Sequence, residues 1–448
     1  MNRKLNLPFF LLMVAVGCGS GDSSGTGGTG GAGGEGGASG TGGSGGAGAF
    51  GGDGGTGGTA ATGGTGGSGG GEGGVGGGAV ASTCGSSVPA RLSEWGLFDN
   101  IRDQVPAEGV IPYEVTSPLF SDGALKRRFV TLQKGGTITY SNDTTRWQSP
   151  VGTIYVKTFA YPPNDLENQT KEQLIETRLL EHVAAEDDRL GCSGEASCWN
   201  VHVYVYNEDM TDAICQSGGA VVSVTYTDDK GQQKEVPTYA VPTNGACRDC
   251  HGPFPDSRTL GPSTGMFNRG NDYGGTIVDN QIDQLFDLGM LATVEPPPQP
   301  PPKEERTTYV DPIPYAATCQ TPDCIHDAAR SWFDANCSHC HAPDGEFKEQ
   351  GLYLDYASMD PTNPTDLDFR SWGICKTPTS GGCGFGGYDI LAGDPDNSIL
   401  LCRIDLVGRD QMAPVGRTLI DDDGVALIRQ WITNLPILFP DIPVLCTN

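Results

Sequence analysis

Positive charge is scarce in this sequence: 28 Lys and Arg stand against 55 Asp and Glu over 448 residues, a formal net charge of −27. Nothing here neutralises a phosphate backbone, so nucleic acid is excluded as a partner. What remains is a soluble, self-repelling surface. Long apolar runs are missing too. The best candidate, residues 7–16, is too short to cross about 30 Å of hydrocarbon. No catalytic triad, nucleotide-binding loop or paired-carboxylate motif stands out, which argues against a self-contained hydrolase. Apolar side chains are nearly absent from residues 19–78, where a large share of the 68 glycines lies. Such a segment cannot offset its ordering entropy and is expected to be a disordered tether.

The start of the chain reads as a targeting segment. Arg3 and Lys4 precede the short apolar run, and Ala15-Val16-Gly17-Cys18 resembles a bacterial lipobox whose Cys18 is acylated after cleavage. Plain secretion is the alternative. Gly19, rather than Asp, follows the acylated position and points to the outer membrane. The expected location is therefore the cell envelope, lipid-anchored and facing the periplasm or the cell surface. Setting aside Cys18 and the four cysteines of two CxxCH motifs leaves ten of the 15, an even number suited to disulfides in an exported protein. Cys192/Cys198, Cys319/Cys324 and Cys375/Cys383 are plausible local pairs, and spacing does not settle the rest.

Residues 91–241 read as strands. Segments 136–140, 153–159, 201–206 and 221–226 are rich in β-branched and aromatic residues, and Gly, Pro, Asn or Asp separate them. The expectation is an antiparallel, sandwich-like β-domain, with a helix following over residues 280–290. Pro296 to Pro302 is a polyproline stretch that favours an extended spacer. Beyond residue 311 the pattern turns helical. Residues 325–336 carry Trp332 and Phe333 directly into the second CxxCH. A terminal helix capped by Asp421 or Asp422 carries Val425, Leu427, Ile428, Trp431 and Ile432. The chain is thus expected to be multidomain: a leader (1–18), a tether (19–83), a β-rich domain with the first motif (84–295), a Pro-rich linker (296–310) and an α-helical, cytochrome c-like domain with the second motif (311–448).

Cys247-Arg-Asp-Cys250-His251 and Cys337-Ser-His-Cys340-His341 carry the chemistry. Two thiols three residues apart can add to the two vinyl groups of haem, and the next residue then supplies an imidazole to the iron. Two such motifs, without the paired CxxC of a zinc ribbon, predict two covalently bound haem c groups rather than zinc or a redox dithiol. His251 and His341 are the expected proximal ligands, and His339 is expected to face solvent. Met412, in a loop between the second motif and the terminal helix, is the expected sixth ligand of the second iron. For the first iron Met266 ranks ahead of Met290, of His202 on a strand and of His182 beside a helix. A vacant sixth position is the competing expectation.

These residues resemble a family of exported bacterial dihaem c-type cytochromes of largely undefined role. The likeness spans roughly residues 92–435. It is carried by Leu92-Ser-Glu-Trp-Gly-Leu-Phe98, Pro118-Leu-Phe-Ser-Asp122, Pro150-Val-Gly-Thr153, Val156-Lys-Thr-Phe159, Ile175-Glu-Thr-Arg-Leu-Leu180, both CxxCH motifs and Gly393-Asp-Pro-Asp396. The Cys-rich inserts and Ala413 after the methionine depart from the family's pattern. The resemblance implies electron transfer with periplasmic or membrane redox proteins, and supplies no substrate. A peroxidase-like enzyme with an open first haem, or a ligand-binding β-domain serving a redox partner, are the alternatives.

Overall fold

The computed structural model describes residues 82–446 apart from 144, 168–170, 188–196, 253–257, 273–277, 295–298, 380–381, 385–386, 441 and 443–445. The expected lipobox with Cys18 and nearly all of the expected tether lie outside the described residues. The described residues belong to one compact unit.

Its β-rich part is built on six antiparallel strands in sequence order: β1 (Ile111–Tyr113), β2 (Leu125–Thr131), β3 (Ile154–Tyr161), β4 (Gln173–Ala184), β5 (Ser197–Tyr206) and β6 (Ala213–Cys215). β3 is dense in β-branched and aromatic residues, which suit a pleated, two-sided interior. One face packs Leu92, Leu97, Phe129, Val156, Leu179 and Tyr204. The opposite face carries Phe159, Tyr161 and Val203. A hairpin of β7 (Ala220–Thr227) and β8 (Gln233–Val241) covers it through Val224, Val236 and Tyr239.

Segment 136–140 contributes less strand than its composition suggests. Only Ile138–Thr139 pairs, in parallel with Leu291–Ala292. The helix expected over residues 280–290 is shorter, Gln281–Asp287: Asn280 caps its start by accepting from the Ile282 amide, and Gly289, at φ 71°, follows its end. The described part of the linker is tied down: Arg306 Nη2 donates to Asp283 Oδ1 at 2.6 Å, and Asn268 Nδ2 donates to Thr308 Oγ1 at 2.7 Å.

The C-terminal part is helical. Naming the short helix Arg248–His251 α1 and Gln281–Asp287 α2, its main elements are α3 (Pro322–Asn336), α4 (Ile399–Ile404) and α5 (Asp422–Leu438). Thr321 caps α3 and Pro322 opens it, where the missing amide costs nothing. Asp421 caps α5, accepting from the Gly424 amide, and also accepts from Trp332 Nε1 at 3.0 Å. One carboxylate therefore both starts α5 and pins it to α3. Phe333 meets Trp431 edge to face, with ring centroids 5.3 Å apart. Trp332, Phe333, Ile428, Trp431 and Ile432 form the centre of this core. Among the described residues no helix is long and apolar enough to cross a membrane.

The cysteines divide cleanly. Cys84–Cys215, Cys319–Cys324, Cys375–Cys446 and Cys383–Cys402 are disulfides, and Cys198 is also disulfide-bonded. Cys319/Cys324 pairs as expected. Cys375/Cys383 does not: Cys375 is buried beside the C-terminal segment, where Tyr388 Oη also reaches the Cys446 carbonyl, and Cys383 lies against α4. Cys192 lies outside the described residues. The free cysteines among those described are Cys247, Cys250, Cys337 and Cys340.

Candidate functional site

Each CxxCH is wound into a single helical turn. The His251 amide donates to the Cys247 carbonyl at 2.9 Å and the His341 amide to the Cys337 carbonyl at 2.8 Å. This winding gathers the two thiols and the imidazole of each motif on one side of the turn. The first turn, α1, follows β8 through a short connection. The second continues directly from α3. Burial raises all four thiols, Cys247 to about 11 and Cys340 to about 12, so each is a neutral S–H.

The two motifs adjoin. Cys340 Sγ donates to the Asp249 carbonyl at 3.4 Å. Arg258 clamps the pair: its guanidinium donates to Asp344 Oδ2 at 2.6 Å and to the His339 carbonyl at 3.0 Å, and its own carbonyl accepts from His251 Nδ1 at 2.7 Å. That last bond commits the Nδ1 proton of His251 and leaves Nε2 as the ring's lone-pair nitrogen, the arrangement a metal-ligating histidine needs. His341 Nδ1 is buried without a hydrogen-bond partner. Burial holds both imidazoles down to about 4, hence neutral and able to ligate.

Both motifs line one cavity of about 950 Å³. Of the expected sixth ligands, Met266 and Met412 line it; Met290, His202 and His182 do not. The Met266 thioether lies over Gly261, where a side chain would approach its sulfur to 2.9 Å. Met412 sits in a fixed loop. Its amide donates to the Arg403 carbonyl at 2.8 Å, and its carbonyl accepts from Arg417 Nη2 at 2.7 Å. His202 instead bonds Glu181 at 3.0 Å and packs against Trp95. His182 is on strand β4, three residues before the short 3-10 helix Ala185–Asp187, and stacks on Trp199 with ring centroids 4.4 Å apart. His339 is buried rather than solvent-facing, because the Arg258 clamp and the adjoining first motif cover it.

The segment Pro118-Leu-Phe-Ser-Asp122, between β1 and β2, stitches the β-rich part to the second motif. The Phe120 amide donates to Asn336 Oδ1 at 2.8 Å, one residue before Cys337. Buried Asp122 accepts from the Thr418 amide at 2.7 Å, the Leu419 amide at 2.8 Å and Thr418 Oγ1 at 2.9 Å, holding the Met412 loop. Reading the sequence for iron ligands passed over Asp122, Arg258 and Arg417. Of these only Asp122 had a signal, as the last residue of a motif that carries the family resemblance.

Comparison of the chain with protein families, with curated proteins and with solved structures finds no match. The geometry must carry the assignment. A structural zinc ion needs four gathered donors, and among the described residues no three of His, Cys, Asp and Glu are so grouped. Haem needs less from the protein: two free thiols, one neutral imidazole and a large, mostly apolar cavity. Each motif offers these.

Proposed function

We propose that the chain is a dihaem c-type cytochrome that carries electrons in the cell envelope, held to a membrane through acylated Cys18. One observation carries the reading: the four free cysteines, in two adjoining CxxCH turns, open into one cavity with His251 and His341. Each thiol would add across a haem vinyl group, its sulfur bonding one carbon and its hydrogen passing to the other. His251 and His341 would ligate through Nε2. Haem, once attached, supplies one-electron iron chemistry. The rest is the work of this chain. Arg258 orients the first imidazole and ties the motifs together. Asp122 and Arg417 fix the loop that presents Met412, and the cavity wall presents Met266 to the first site. In this reading the β-rich part carries the first haem, the cytochrome c-like helical part carries the second, and electrons pass to or from a periplasmic or membrane redox protein.

A carrier is favoured over an enzyme with an open iron because a thioether lines the cavity for each motif. The test is carbon monoxide and cyanide binding to two single-haem variants, Cys247→Ala/Cys250→Ala and Cys337→Ala/Cys340→Ala, alongside peroxide turnover. Weak external-ligand binding by both is the expected result. A first haem that binds ligands readily and consumes peroxide overturns the carrier assignment in favour of an enzyme.

A further inference from the structure

In a chain of net charge −27, the sheet face beside the first motif is cationic. Lys157 on β3 stands directly opposite Arg128 on β2 and Arg178 on β4. Lys126 lies two residues along the same face, and Lys126, Lys157 and Arg178 all sit within 6 Å of the Phe159 ring, at 5.7, 5.8 and 4.2 Å. Like charges directly opposite one another destabilise a sheet. The partners present do not balance them. Glu176 is fully buried and bidentate to Arg178, and Glu114 lies 3.5 Å from Arg128. Among the described residues no carboxylate is within ion-pair distance of Lys126 or Lys157. The nearby Asp421, which accepts from the Gly424 amide and Trp332, is the carboxylate that acts on Lys126. Of the three cations that line the cavity, Arg128 and Arg178 have carboxylate partners and Lys157 has none within ion-pair distance among the described residues, an excess of one positive charge.

Burying such an excess is costly unless an anion completes it. Arg128, Lys157 and Arg178 all line the cavity shared by the two motifs, so the completing group belongs in that cavity. Haem carries propionate carboxylates, which match the excess in sign. Desolvation, with Arg128 and Arg178 adding to it, presses the Lys157 amine down to about 7.

We propose that Arg128, Lys157 and Arg178 form a carboxylate-binding site that receives haem propionates in this cavity. The proposal rests on the haem reading above. Its test is redox-difference infrared spectroscopy of the holoprotein carrying haem labelled with carbon-13 in its carboxyl groups. The parent, Lys157→Met, Arg128→Met and the charge-keeping Lys157→Arg are compared, and the two single-haem variants assign the bands to one haem or the other. Labelled carboxylate bands should move in Lys157→Met and Arg128→Met and stay near the parent position in Lys157→Arg. The affected haem should also become harder to reduce. At fixed ambient potential its reduced-to-oxidised ratio should fall about tenfold, or ~59 mV for a one-electron couple. Two covalent haems with labelled bands unmoved in both Met variants overturn this proposal while leaving the haem reading intact. A parent chain without covalent haem removes the haem reading itself.

Discussion

Replacing Asp122 should release the Met412 loop while leaving the two CxxCH turns in place. The carboxylate receives three hydrogen bonds from Thr418 and Leu419 at 2.7–2.9 Å and is buried. In Asp122→Ala the Thr418 and Leu419 amides lose their acceptor, and a buried unpaired donor costs about 1–3 kcal/mol. The combined loss is about 3 kcal/mol, enough, on the proposed haem reading, to raise the population with Met412 off the iron on the order of a hundredfold. Asp122→Asn is the control. Asp122 has φ 52°, which Asn tolerates, and the amide oxygen can still accept. The assay is the ferric thioether-to-iron absorption and the carbon monoxide affinity of the second haem, followed with urea denaturation. Alanine should weaken the absorption, strengthen carbon monoxide binding and lower the midpoint; asparagine should do each to a lesser degree. An alanine variant with parental spectrum and carbon monoxide affinity refutes the clamp.

The other predictions concern stability and location. Cys84–Cys215 closes a loop of sequence separation 131, so Cys84→Ser/Cys215→Ser should cost about 3–5 kcal/mol in the chain-entropy account, read as a lower unfolding temperature that reductant no longer shifts at this bond. Buried His326 accepts from Trp431 Nε1 and is held to about 4 by desolvation, below its ordinary 6.5. Between those values the unfolded chain binds more protons, so this contribution of about 3 kcal/mol is complete above pH 6.5 and is lost as pH falls toward 4; urea midpoints of His326→Gln should lack that part of the pH dependence. Cys18→Ser should release the protein from membranes to a soluble fraction, and fractionation like the parent would contradict the anchor.

The two motifs were legible because CxxCH is a local spacing that survives any fold; on the proposed reading it is what covalent haem attachment demands. CxxCH and the aromatic helix before the second motif needed no tertiary knowledge. The Asp421 cap was legible for the same reason. What was not legible depends on distant segments meeting. β4 escaped a strand assignment because it is central in the sheet and buried along much of both faces, which removes the alternation that marks a half-buried strand. The disulfides of Cys375 and Cys383 follow which segments pack together, the C-terminal segment for Cys375 and α4 for Cys383, not sequence distance. The cationic face did leave a trace. Lys157 occupies the same strand phase as Phe159, an inward position where a charge needs a reason.

The most direct test of the central claim is the intact mass of the parent chain, unfolded and extracted with acid and acetone. Two haems should remain on each chain, and Cys337→Ala/Cys340→Ala should retain one. Release of all haem from the parent protein would contradict the account.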